Sequence, residues 1–235
     1  MPKDATKVPA ATVNSEVDEF LRQVAAAPTP VKAAGMGRLI FAIDATASRQ
    51  PAWDRACQIQ AEMFSETASL GGLAIQLCYF RGFGEFQASP WLTDSRALVR
   101  QMTSVTCLAG TTQIARVLRH AVDEAGKVRV NALVYIGDCM EESEDGLAEL
   151  SGKLGLLGVP AFVFQEGSEA RAERAFRQIA RLTRGAYMKF DAASAQALRD
   201  LLKAVAVYAS GGRKALGEYA GRTGGDVLLL TRQLE

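Results

Sequence analysis

Three short stretches carry oxygen side chains at spacings suited to chemistry: Asp44, Thr46 and Ser48 in DATAS, Thr111 and Thr112 in AGTTQI, and Asp138 at the end of LVYIGD. In DATAS a carboxylate and two hydroxyls fall at every second residue, so an extended loop lines all three along one side. Two carboxylates with several hydroxyls form an all-oxygen donor set. That set suits a hard divalent cation, Mg2+ or Mn2+, whereas zinc wants nitrogen or sulfur. Each stretch also has a plainer role, since Thr46, Ser48 or Thr112 can cap a helix and Asp138 can close a turn. The conjunction favours the metal reading, because all three stretches fall at the carboxyl ends of predicted strands or in the loops beside them. Ligands of an open parallel sheet collect there.

The elements that must position these residues follow from the apolar pattern. Short apolar runs (RLIFAID, LAIQLCYF, VNALVYIGD, VPAFVFQ, AYMKF) alternate with helical patterns expected over residues 51–69, 94–103, 112–125, 143–157, 170–183 and 194–209. Strands without internal alternation, separated by helices, imply an α/β fold: a doubly wound, mostly parallel sheet with helices on both faces. GEFQAS is the exception, because RGFG is too short for a crossover helix. It is expected to pair antiparallel with LAIQLCYF as an edge strand.

Residues 1–13, rich in Pro, Ala, Thr and Lys, read as a mobile arm. Residues 14–37 read as an amphipathic helix and a linker. Asn14 and Ser15 offer caps, Val17, Phe20, Leu21 and Val24 share one face, and Pro28, Pro30, Gly35 and Gly37 follow. The compact domain is expected over 38–209, with a glycine-punctuated extension over 210–235, a helix and then a strand, packing on it.

The chain has 235 residues, 49% hydrophobic and 23% charged, the arithmetic of one globular domain able to fold without disulfides or a structural metal. Its 27 basic and 26 acidic residues create no global field that would draw in nucleic acid or an acidic membrane. Cys57, Cys78, Cys107 and Cys139 form no CxxC pair, so free thiols are expected. Cys139, flanked by acids, should have a disfavoured thiolate and be inert. With no secretory h-region and no apolar run near the roughly 20 residues of a membrane span, a cytoplasmic protein without membrane contact is expected.

In type and order these residues resemble the metal-ion-dependent adhesion site of the von Willebrand factor type A domain. That site combines DxSxS, a threonine in a loop before a helix, and an aspartate ending the fourth strand. The matching residues are Asp44, Thr46 and Ser48, then Thr112, then Asp138, and the likeness in element order spans residues 38–208. Thr46 stands for the usual first serine and keeps the hydroxyl. Thr111 precedes Thr112, and the following Gln113 and Ile114 favour Thr112. Cys139, Met140, Glu141 and Glu142 replace the common glycine after the aspartate, bringing two glutamates beside the site. Their simpler role is to start the next helix. The resemblance implies a metal-dependent interaction module without catalysis, in which a partner's Glu or Asp completes the ion's shell.

An RNA-binding module is the alternative. Arg171, Arg174, Arg177, Arg181 and Arg184 line one face of a predicted helix, and a related use of this domain type occurs in the RNA-binding Ro proteins. A metal-dependent hydrolase comes third. A haloacid-dehalogenase-type phosphatase would need a carboxylate where Thr46 stands. Gly35 and Gly37 precede the first strand instead of following it, so they make no dinucleotide fingerprint, and no P-loop pattern is present. The sole histidine, His120, falls within a helix, which leaves a Ser-His-Asp triad without support.

Overall fold

The computed structural model describes residues 19–28, 36–47, 72–190 and 195–223, the last helix by backbone alone over 195–199 and 220–223. The expected arm, the start of the first helix, Ser48, the helix over 51–69 and the tail from 224 lie outside these residues. Helix α1 covers residues 19–26 within the described part. Then follow β1 (Gly37–Asp44), β2 (Leu73–Arg81), β3 (Glu85–Ala88), α2 (Ser95–Thr103), α3 (Ile114–Lys127), β4 (Ala132–Gly137), α4 (Glu144–Leu156), β5 (Ala161–Glu166), α5 (Ala170–Thr183), β6 (Ala186–Phe190) and α6 (Ala195–Thr223).

The strands form one six-stranded sheet in the order β3-β2-β1-β4-β5-β6. All neighbours run parallel except β2 and β3, which pair antiparallel at the edge with Phe80 opposite Phe86. The sheet is thus the mostly parallel, doubly wound one that the apolar runs imply. RGFG makes the tight turn, with Gly82 at φ 58° and Gly84 at φ 138°, backbone that favours glycine.

Successive strand residues feed opposite faces, which explains why the runs show no alternation. Leu39, Phe41 and Ile43 of β1, with Phe162 and Phe164 of β5, pack under α6 (Leu202, Val205, Tyr208) and α1 (Phe20, Val24). Ile40 and Ala42 of β1, with Tyr135 of β4, pack under α3 (Val117, Leu118), α4 (Leu147, Leu154) and α5 (Phe176, Ile179).

The helix at 195 runs through Ser210 and Gly211 to Thr223, breaking only at Gly212 (φ 68°, ψ −163°). Beyond the break Leu216 and Tyr219 are buried in the same core as α1. Arg213 reaches back from this segment, its Nε donating to the Ala27 carbonyl at 2.9 Å and its Nη2 to those of Ala26 and Ala27 at 2.7 Å each. These are the carbonyls that the end of a helix leaves unbonded. The Tyr208 hydroxyl donates to the Pro28 carbonyl beside them. Among the described residues no helix is long and apolar enough to cross a membrane.

Candidate metal centre

β1 and β4 lie side by side with Ile43 opposite Ile136, so the chain leaves the sheet at Asp44 and, just past Gly137, at Asp138. Neighbouring strands are about 4.8 Å apart, so register alone sets the two carboxylates at one edge. Asp44 is fully buried, and its Oδ1 accepts the Thr46 N–H at 2.7 Å. That bond turns the chain just after the strand and holds Thr46, itself buried, beside the carboxylate. The turn is braced on both sides, since the Ala45 N–H donates to the Phe80 carbonyl at 3.0 Å and the Leu108 N–H to the Ala45 carbonyl at 3.1 Å. Ser48, the third residue of the motif, lies outside the described residues.

Thr112 reaches this edge by a reciprocal pair of bonds. Its N–H donates to Glu141 Oε2 at 3.1 Å, and its Oγ1 accepts the Glu141 N–H at 3.1 Å. Because Glu141 stands three residues after Asp138, the pair ties the loop before α3 to the loop after β4. Thr112 does not cap the helix. α3 starts at Ile114, with Gln113 at the cap position making no side-chain cap bond. The cap comes from Glu142, whose two carboxylate oxygens accept the N–H groups of Ile114 and Ala115. Glu141 and Glu142 therefore do not begin the helix that follows them, where Ser143 is the cap and Glu144 and Asp145 fill the first turn. Glu142 sits instead at the positive end of the preceding helix, neutralising part of its dipole. Sequence reading missed this latch, for nothing local links residue 142 to residues 114 and 115.

Among the described residues no three His, Cys, Asp or Glu side chains gather to hold a metal by themselves. The candidate donor set is instead two carboxylates, Asp44 and Asp138, with the hydroxyls of Thr46 and Thr112. Such a set fits an ion that accepts neutral oxygens and water as well as carboxylate. Thr112 Oγ1, accepting one N–H, retains a second lone pair for a cation. Cys139, next to Asp138, is a free cysteine. Burial, and then the charges of Glu141, Asp138 and Glu169, push its thiol above the ordinary value, so the thiolate is disfavoured.

The five arginines of α5 and its end are exposed. Arg177 pairs with Glu173 at 2.9 Å and lies over the Tyr187 ring. Arg171 and Arg174 approach Glu144 at 3.8 and 3.9 Å, and Arg171 Nη2 donates to the Glu142 carbonyl at 3.0 Å. Arg181 and Arg184 border a separate concavity with Gln23 and Tyr187. It opens where β6 begins, at the sheet end opposite Asp44.

No protein-family model matches the sequence, and no curated protein does. Solved structures do match in fold. The von Willebrand factor type A protein from Catenulispora acidiphila aligns with 78% of this chain and 43% of its own at 16% identity, TM-score 0.58. The SpRpn10 VWA domain aligns with 71% of this chain and 94% of its own at 15% identity, TM-score 0.56. Proximal thread matrix protein 1 from the mussel byssus, with a zinc-occupied MIDAS motif, aligns at 14% identity over 75% of this chain and 47% of its own, TM-score 0.58. The chain spans less than half the length of the Catenulispora and mussel proteins and 62% of the PilB minor pilin from Streptococcus sanguinis.

Proposed function

We propose that this chain, which has the von Willebrand factor type A fold, is a divalent-metal-dependent protein-interaction module. Asp44, Thr46, Ser48, Thr112 and Asp138 hold Mg2+ or Mn2+, and a Glu or Asp of a partner completes the shell. The observation that carries this reading is the meeting of three loops at one sheet edge: Asp44 and Asp138 by strand register, Thr112 by its exchange of bonds with Glu141. The zinc-occupied MIDAS motif of the mussel protein, which shares the fold, supports a divalent ion. With two carboxylates and neutral oxygens otherwise, the ion keeps enough positive charge to attract a third carboxylate from outside. The module binds without catalysing a reaction, in a cytoplasmic assembly. Pairing of Arg171, Arg174 and Arg177 with the chain's own acids favours a protein partner over RNA.

A thermal melt tests the ion. At an ion concentration ten times the dissociation constant, linkage raises stability by about 1.4 kcal/mol, roughly 3 to 5 °C for a chain of this length. Asp44→Ala removes the difference between Mg2+ and EDTA, whatever it does to the melting temperature itself. Identical melts of the wild type in both solutions would reject the metal site.

A further inference from the structure

Beside the candidate metal centre two large apolar side chains stand in water, Phe83 at 87% exposure and Leu108 at 46%. Single exposed apolar residues are common and mean little. These two differ in how firmly their backbone is held. Phe83 sits between Gly82 and Gly84 at the tip of the β2–β3 hairpin, and that tip is tied down on several sides. The Gly82 carbonyl accepts the Thr111 N–H at 3.2 Å, the Gly84 carbonyl accepts Arg116 Nη1, and Arg81 Nη1 donates to the Thr106 carbonyl at 2.7 Å. Gly110 lies so close to the tip that a Cβ there would stand 2.0 Å from the Gly82 oxygen. Leu108 is anchored by its N–H to Ala45, the residue between the two candidate ligands Asp44 and Thr46.

Since β2 runs parallel to β1, the hairpin leaves the sheet at the edge where Asp44 leaves it. We propose that Phe83 and Leu108 form an apolar recognition surface continuous with the metal centre. It takes a large aliphatic or aromatic side chain adjacent, in a partner's chain, to the carboxylate offered to the ion. The inference rests on the metal-centre reading and names the class of partner, an acidic segment with an apolar neighbour. A braced backbone loses little freedom when a partner docks, so the area covered converts to affinity with less ordering cost. Charge points the same way. Arg116 is exposed and donates to the neutral oxygens of Gly84 and Gln113, and no acid pairs with it among the described residues. The acids near it are already engaged, Glu85 by Arg81, Glu141 by the Thr112 N–H and Glu142 by the N-terminus of α3, so the positive charge of Arg116 beside Phe83 favours an acidic segment there over a basic one.

The test uses an array of immobilised peptides, each with one central Glu and one varied neighbour (Leu, Phe, Met, Ser or Lys), probed with the full chain in Mg2+ and in EDTA. Peptides with Leu, Phe or Met beside the Glu bind about tenfold more tightly than those with Ser. Phe83→Ala abolishes that preference while leaving the melting shift with Mg2+ unchanged. Mg2+-dependent binding of every Glu peptide without an apolar preference, or a preference that Phe83→Ala does not alter, overturns the surface and leaves the metal reading standing. A Phe83-dependent preference that persists in EDTA keeps the surface and overturns the metal reading. Failure of all the peptides to bind overturns the surface. So does self-association dispersed by Phe83→Ala, seen by sedimentation, which would make a second copy the occupant.

Discussion

The layer that α1 and α6 lay over one face of the sheet and the rim formed by the loops after β1, β2 and β4 are built by opposite means. The layer is apolar: Phe20 is wholly buried, with its ring 5.1 Å from that of Phe164 and 6.3 Å from that of Phe162. The rim is polar. Its residues are placed by a few directional bonds, single ones for Thr46 on Asp44, Leu108 on Ala45 and Thr111 on Gly82, and a reciprocal pair between Glu141 and Thr112. Apolar burial yields large stabilisation but tolerates small shifts, whereas hydrogen bonds yield little net stability and fix position. Damage to the layer should therefore appear in melting temperature, and damage to the rim in ion and partner binding.

Phe20→Ala is the largest test of that contrast. Truncating a fully buried aromatic costs about 3 to 5 kcal/mol, or roughly 10 °C in a chain this long. The difference in melting temperature between Mg2+ and EDTA should persist in the variant, at its lower midpoint. If calorimetry shows Phe20→Ala melting like the wild type, α1 contributes nothing to the core.

Arg213→Ala should come next, because it leaves the last carbonyls of α1 without their guanidinium donor. Hydrogen bonds to a charged group contribute about 1.5 to 3 kcal/mol, and the partial exposure of these bonds sets the expectation near the lower figure. Protease nicking should then begin in α1 before the domain unfolds. Equal nicking rates in the variant and the wild type would show that the apolar contacts suffice.

Glu142→Gln probes the rim with a smaller stability effect. It removes the charge at the helix end and, because an amide NH2 cannot accept, one of the two cap bonds to Ile114 and Ala115, at a cost of about 1 kcal/mol. The functional effect should be larger than the stability effect, since the Glu141–Thr112 pair depends on the same loop. Isothermal titration with Mg2+ in the variant is expected to show weaker binding. An unchanged affinity would mean that Glu141 alone positions Thr112.

Much of the layered fold was legible because it follows local pattern: RLIFAID and LVYIGD are runs only a doubly covered strand accommodates, and RGFG is too short for a crossover. The places of Asp44 and Asp138 were legible for the same reason, since each follows from where a strand ends, whereas Thr112 is held by its bonds to Glu141 and by no strand end. What escaped was long-range. Glu142 meets Ile114 and Ala115 across 28 and 27 residues, and Arg213 meets Ala27 across 186, with no periodicity to announce either contact. The continuation of α6 through Ser210 and Gly211 was also hidden, because glycine and serine lower helix propensity locally. Burial of Leu216 and Tyr219 in the core offsets that cost. Phe83 did leave a signal, an aromatic between two turn glycines.

The smallest effect belongs to α3, which takes part in both regions, with its N-terminus at the rim and its body against β2. His120 on this helix is half-buried, its Nε2 2.9 Å from Gln76 Oε1 and its ring 5.5 Å from that of Phe86. Burial holds its pKa below the ordinary 6.5. Lys127 adds to the lowering, while Glu124 and Asp123 oppose it. With the folded value below the unfolded one, unfolding takes up a proton in the window between them. The neutral ring's contribution is thus complete above about pH 6.5 and declines as pH falls through that window. Because this is the sole histidine, one imidazole resonance in a proton NMR titration reports it without assignment. The midpoint should lie below 6.5, and His120→Gln should flatten the fall of melting temperature between about pH 7 and 5. The Mg2+ shift measured at pH 7.5 should be the same in that variant, since His120 lies in the body of α3, away from the rim. A midpoint at or above 6.5 would mean that Glu124 and Asp123 outweigh burial.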